Sequence, residues 1–320
     1  MRHEGTPLIL FTRALEEGWA DRIRAAAGGT AIVGESDLAA DPSLIGRVEV
    51  CYPSLRHSLW PQASSLRWLQ VDFAGVDDVL GIPEAMRHPA VLTNIHVHGQ
   101  CIAEHMWGMA LALIRNLHRA VLTQARATWE TPPLRGGLAS LSGATLCVVG
   151  FGVIGARLAE IGRAFGMKVI GINRHGTPHP AADEMMGPDR RREAFARSRL
   201  IMMVLPGTPA TARFVGKAEL DAMNGAFLLN AGRGGSIDTE ALVAALQDGR
   251  VRGAGLDVTD PEPLPDGHPL WSLPNVLITP HYAGVHPGYN EEAFDVFCDN
   301  LARWVKGGKL QNVVDRSAGY

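Results

Sequence analysis

Residues 145–155 read TLCVVGFGVIG. Thr145–Val149 is a short apolar run bounded by glycine, the pattern of a strand buried on both faces. Gly150, Gly152 and Gly155 then fall in a G-x-G-x-x-G spacing, and a helical pattern runs from Val153 to Phe165, where Gly166 ends it. KVIGIN (residues 168–173) supplies a returning strand. The spacing alone is weak, but a strand before it, a helix opening on it and a second strand after it make a mononucleotide-binding unit of a parallel sheet. In such a unit Gly150 permits the tight turn, Gly152 lets a pyrophosphate approach the backbone, and Gly155 lets helix and strand pack closely. The free N–H groups at the helix start face the anion.

Further strands are expected downstream at LIMMVLP, AFLLNAG, GAGLDV and VLITP. Upstream, PLILFT and TAIVG flank an amphipathic stretch from Leu15 to Ala27 that ends in Gly28–Gly29, and VEVCY, LRWLQVD and AVLTNI follow. Alternating strands and helices on both sides of the glycine turn predict an α/β protein with two parallel-sheet domains of Rossmann or flavodoxin type and a cleft between them. A helix from Ile102 to Leu117 leads out of the first domain, and TPPLRGGLASLSG reads as a loop before the second. The helical run Glu291–Val305 starts after the second sheet is complete, so it is expected to return to the first. The expected boundaries are 1–98 plus 289–320 for a substrate-binding domain and 99–288 for the dinucleotide-binding domain.

A chain of 320 residues, 46% hydrophobic, is long enough for two cores. The formal charge of −3 gives no general attraction to nucleic acid or anionic lipid. Arg190, Arg191 and Arg192 precede Glu193 and read as a solvated face. No apolar run reaches the ~20 residues of a membrane span, and the N-terminal apolar run is too short for a signal peptide. Cys51, Cys101, Cys147 and Cys298 are far apart, as expected of reduced thiols in a cytoplasmic protein. His96, His98 and His105 lack a carboxylate or cysteine at a convincing spacing, so no metal is expected. His96 and His98 would share one face of a strand. Trp68, Trp107 and Trp271 read as core or interface residues, with Trp271 the one that could approach a substrate.

At the end of the second strand of a dinucleotide unit, about 20 residues after the glycines, an Asp or Glu usually binds the ribose of NAD. Here Asn173–Arg174 stand there. Asn173 removes the repulsion a carboxylate would exert on a 2′-phosphate, and Arg174 offers a planar cation suited to it. NADP(H) is therefore the favoured cofactor. An Arg174 that only covers the adenine leaves NAD(H) as the alternative.

Three charged or titratable residues follow apolar strands: Arg233 in NAGRGG, Glu262 in LDVTDPEPLP and His281 in VLITPH. Ligands of open α/β sheets bind outside the carboxyl ends of strands, so the three can converge on one crevice. Arg233 can bind a carboxylate and polarise a neighbouring carbonyl. His281 can deliver a proton to that carbonyl oxygen as hydride arrives, and Glu262 can hold the other ring nitrogen and favour the charged ring.

With these motifs in order, the sequence resembles the D-2-hydroxyacid dehydrogenase family over most of its length. LRWLQVDFAGVDDV and TNIHVHGQCIAEHMWGMALALIRNL resemble its substrate-domain segment and crossover helix. VVGFGVIG, VLPGTPATARFVG, LLNAGRGGSIDTEAL, GLDVTDPEPLP and HPLWSLPNVLITPHYAG resemble its cofactor-domain motifs. The resemblance implies Arg233, Glu262 and His281 as the catalytic residues. It implies a substrate carboxylate held around Ala74, Gly75 and Val76 with Arg233 and His281. For the cofactor it implies contacts from Phe151, Val153, Ile154, Leu205, Pro206, Ala231, Gly232, Arg233, His281 and Gly284, with Asp257 beside the nicotinamide carboxamide. A glyoxylate- or hydroxypyruvate-like 2-oxo acid as substrate, a homodimer, and closure about hinges near Ile95–Gln100 and Gly284–Tyr289 follow from the same likeness. Glu262 argues against the related formate dehydrogenases, which carry Gln there. No Tyr-x-x-x-Lys of a short-chain dehydrogenase exists, since Arg56, His286 and Ala293 follow Tyr52, Tyr282 and Tyr289 at that spacing. A nucleotide-sensing scaffold of the same fold with little turnover is the alternative function.

Overall fold

The structure is a computed structural model in which residues 7–129 and 134–320 are described. The readings above that touch 1–6 and 130–133, the start of the N-terminus and part of the TPPLRGG loop, lie outside the described residues. The chain divides into two compact units. One comprises the described residues up to Val97 together with His286–Tyr320, and the other is the continuous stretch His98–Val285. The junctions lie within the segments Ile95–Gln100 and Gly284–Tyr289.

The first unit is a five-stranded sheet of β1 (Leu8–Phe11), β2 (Ala31–Gly34), β3 (Val50–Tyr52), β4 (Trp68–Gln70) and β5 (Val91–Thr93), ordered β2-β1-β3-β4-β5. Every neighbouring pair is parallel. This is the flavodoxin-like order. The first helix is shorter than its apolar period suggested, Trp19–Ala27, and it ends where Gly28 and Gly29 take positive φ. The late helix, Tyr289–Val305, does return to this unit: Phe294, Phe297 and Leu301 are fully buried against Phe11, Trp19, Tyr52 and Trp68. Trp19 stacks on Phe294 at 3.9 Å and Tyr52 lies 4.5 Å from Phe297. Each buried ring contributes on the order of 1.5–3 kcal/mol.

The second unit has seven parallel strands: β6 (Thr145–Val149), β7 (Lys168–Ile172), β8 (Glu184–Met186), β9 (Leu200–Met203), β10 (Ala226–Asn230), β11 (Val251–Leu256) and β12 (Val276–Ile278). Their order is β12-β11-β10-β9-β6-β7-β8, a doubly wound Rossmann sheet in which the order reverses between β6 and β9. The central strands β6, β9 and β10 are almost wholly buried, as parallel strands covered on both faces must be. The helix Gly99–Ile114 covers one face through Ala103, Met106, Trp107 and Ala110.

β8 was not expected from the sequence. It is an edge strand with only two apolar residues, and Glu184 at its start pairs with Arg190 and Arg197. Arg191 departs from the solvated-face reading: it bonds the Phe214 and Pro188 carbonyls and lies 3.0 Å from the largely buried Glu219. His96 and His98 follow β5 rather than sharing a strand face, because pairing stops at Thr93. Trp68 and Trp107 are core residues, whereas Trp271 is 52% exposed. Among the described residues no helix is long and apolar enough to cross a membrane.

Candidate active site

The glycine turn forms the floor of the second unit's carboxyl edge. Gly150 has φ +93°, and a Cβ there would sit 2.6 Å from the Val204 carbonyl oxygen across the β6–β9 switch point. A Cβ on Gly155 would overlap Gly150 O, so only glycine lets the helix Val153–Ala164 come this close to β6. Gly152, by contrast, faces open space, and no side chain caps the helix it precedes. The open backbone and uncapped N–H groups fit the pyrophosphate of a dinucleotide. Gly232 closes the opposite wall: a Cβ there would lie 2.6 Å from Leu205 N and O, so Ala231–Gly232 and Leu205–Pro206 run against each other.

At the end of β7, Asn173 organises the loop. Its Oδ1 accepts from His175 N at 3.2 Å and Thr177 N at 3.0 Å, and its Nδ2 donates to Thr177 O at 3.0 Å. This side-chain-braced turn leaves Arg174 exposed beside the glycine turn's own sheet edge. Asn173 is thus a turn former as well as an uncharged substitute for a carboxylate.

Arg233, Glu262 and His281 follow β10, β11 and β12, three adjacent strands, and all three lie on the carboxyl edge. The fully buried Asn230 shapes the first loop by accepting from Gly232 N at 3.0 Å and donating to Arg233 O at 2.9 Å. The Arg233 guanidinium donates to Gly232 O at 3.0 Å. Gly234 packs so tightly under Thr259–Asp260 that a Cβ would overlap Thr259 O, which draws the loop carrying Glu262 against the loop carrying Arg233. Glu262 Oε1 lies 2.5 Å from His281 Nδ1. Both side chains are about half exposed, so the pair is open to a ligand. With Nδ1–H given to Glu262, Nε2 is the nitrogen left to face a reactant.

Asp257, at the end of β11, is almost fully buried. It accepts from Thr279 Oγ1 at 2.6 Å, Tyr282 N at 3.1 Å and Ala283 N at 3.1 Å, while its own carbonyl accepts from His281 N at 2.9 Å. Sequence reasoning named Asp257 and weighed His105 as a metal ligand, but missed Asn230 and Thr279; the His105 ring lies 2.9 Å from Thr279 Oγ1. A polar residue ending an apolar strand was the available signal for Asn230. Gly284 completes the edge, with a would-be Cβ 2.9 Å from the ring of the buried His98. In the first unit, Ala74, Gly75 and Val76 follow β4. Asn94 Nδ2 holds Ala74 O at 2.6 Å, and the Val76 side chain is buried, so only backbone is offered by that residue.

Comparison with known proteins agrees with this fold. The sequence pattern of the D-isomer specific 2-hydroxyacid dehydrogenase NAD binding domain matches residues 107–283, more than half of the chain. The chain belongs to that family. It is 32% identical to a glyoxylate reductase of Aeropyrum pernix over 269 residues, covering 81% of this chain and 79% of the relative. A D-isomer specific 2-hydroxyacid dehydrogenase family protein of Aeromonas salmonicida superposes with a TM-score of 0.84 at 30% identity, covering 98% of this chain and all of that one. An NADPH-dependent glyoxylate/hydroxypyruvate reductase of Sinorhizobium meliloti, solved with NADP and sulfate, gives 0.82 at 25% identity over 99% of this chain and all of that one. The two parallel sheets are therefore those of the family, and the chain is an oxidoreductase of the 2-hydroxyacid dehydrogenase class.

Proposed function

We propose that this protein reduces a small 2-oxo acid, glyoxylate or hydroxypyruvate first, to the D-2-hydroxy acid with NADPH. The observation that carries the reading is the Glu262–His281 pair, 2.5 Å apart on the same sheet edge as Arg233 and the open glycine turn. When bound, the reduced nicotinamide supplies a hydride to the carbonyl carbon. Arg233 orients the substrate carboxylate and polarises the carbonyl. His281 Nε2 gives a proton to the carbonyl oxygen, and Glu262 fixes the ring so that this nitrogen presents it. The backbone at Ala74, Gly75 and Val76 remains the proposed carboxylate cradle of its own unit. Asp257 remains the proposed neighbour of the carboxamide.

NADP(H) is preferred in this reading because Arg174 stands on a loop without a carboxylate at Asn173, and relatives solved with NADP share the fold. A homodimer is proposed from the exposed apolar residues Leu117, Val121, Leu122 and Trp129 beside the crossover helix. The decisive experiment is a panel of 2-oxo acids assayed with NADPH and with NADH. The reading expects turnover with glyoxylate or hydroxypyruvate and a clear advantage for NADPH. Nucleotide binding with no reduction of any 2-oxo acid would turn the assignment toward a sensing scaffold.

A further inference from the structure

Unit two contains a polar chain of which only Asp257 has a role above. His105, on the helix Gly99–Ile114, places Nε2 2.9 Å from Thr279 Oγ1, which lies 2.6 Å from Asp257 Oδ1. A hydroxyl has one proton to give, and a carboxylate is a far better acceptor than Met109 Sδ, 3.9 Å away. The proton therefore goes to Asp257, and the Thr279 oxygen accepts from His105 Nε2–H. The His105 ring also meets Tyr282 edge-on at 5.1 Å. One imidazole, 18% exposed, thus grips the chain two residues before and one residue after His281.

His281 needs such a grip. Its φ is 52°, in the left-handed region that residues with a side chain rarely occupy. Such a conformation persists only where its surroundings over-determine it. Here they do so through Asp257, whose carboxylate holds the amides of Tyr282 and Ala283 and whose carbonyl holds the amide of His281.

We propose that His105, acting through Thr279, is a positioning residue for His281. It directs the Thr279 hydroxyl at Asp257, the hydroxyl fixes the Asp257 carboxylate, and the carboxylate holds the two backbone amides, of Tyr282 and Ala283, that follow the left-handed residue. The inference rests on His281 as proton donor. A displacement of about 1 Å at a reacting group can cost about 100-fold in rate, so loosening the clamp is read first in kcat.

Three variants of the holoenzyme test this. His105→Phe keeps a ring against Tyr282 and removes the donor. Thr279→Val keeps the shape and removes the hydroxyl, and Thr279→Ser restores it. The first two should lower kcat about 10–100-fold while the 2-oxo acid KM and the NADPH Kd move by less than about threefold. Thr279→Ser should recover kcat to within about threefold of the parent. The amides of Tyr282 and Ala283 should exchange with solvent faster in His105→Phe and Thr279→Val, and combining the two should add little, since both cut one chain. Unchanged kcat and exchange, or a loss that Thr279→Ser fails to rescue, overturns the proposal. If the parent reduces no 2-oxo acid, the proposed function fails by itself. Amide exchange then decides the positioning inference, and unchanged protection at Tyr282 and Ala283 overturns it.

Discussion

An imidazole that gives one N–H to a carboxylate has one nitrogen left for chemistry, and at His281 that nitrogen is Nε2. Replacing His281 by Ala should reduce turnover by about 10²–10⁴. Wild-type kcat in that variant removes His281 as the acid. Arg174 acts elsewhere, on the exposed crest of the turn that Asn173 braces. Arg174→Ala should raise KM for NADPH far more than for NADH, and equal effects would remove the phosphate assignment. The placement of Arg233, Glu262 and His281 on one sheet edge was legible in the sequence because each stands in a loop that follows an apolar strand. Thr279 and His105 were not. Their meaning is a hydrogen bond between positions 174 residues apart, which leaves no local pattern.

Strands that cross the interior of a sheet announce themselves as short apolar runs, and all of those in the two sheet centres were readable. β8 was not, because an edge strand needs little apolar surface and its start is fixed by Arg190 and Arg197 pairing with Glu184. The first helix starts at Trp19 rather than Leu15 because the chain turns before it, with Gly18 at positive φ. The bend ending in β5 offers a pH test. His88 Nε2 lies 3.2 Å from Ala63 O and Nδ1 accepts from Ala90 N at 3.2 Å, so the fold uses the neutral ring. Burial, and secondarily the charge of Arg316, hold its pKa below the usual 6.5. The unfolded chain binds the proton more readily, so this contribution is present above the unfolded value and is lost as pH falls through the folded one. Acidification from about pH 7.5 to about pH 5.5 should lower Tm, and His88→Asn should flatten part of that slope. An unaltered slope would show that His88 does not carry it.

At the level of two units and their surfaces, the helix Leu117–Ala125 carries exposed apolar residues that a single chain leaves uncovered. Leu117, Val121 and Leu122 are 52–62% exposed and Trp129 is 96% exposed. If this face joins two copies, Leu122→Glu should shift the sedimenting species from dimer to monomer without unfolding it. A parent that sediments as a monomer rules the homodimer out. Neither the face nor its exposure could be read from the sequence, where Leu and Val at helical spacing look like core.

The first unit is written in two pieces of chain, with the whole second unit between them. Its aromatic core joins Phe11, Trp19, Tyr52 and Trp68 from the early piece to Phe294 and Phe297 from the late one. During synthesis the early strands are made long before the helix that covers their aromatic face, and the contiguous unit emerges between them. A released chain ending before Phe294 would carry the contiguous unit His98–Val285 whole and the first unit without the rings that cover Phe11, Trp19, Tyr52 and Trp68, the species a chaperone should recognise.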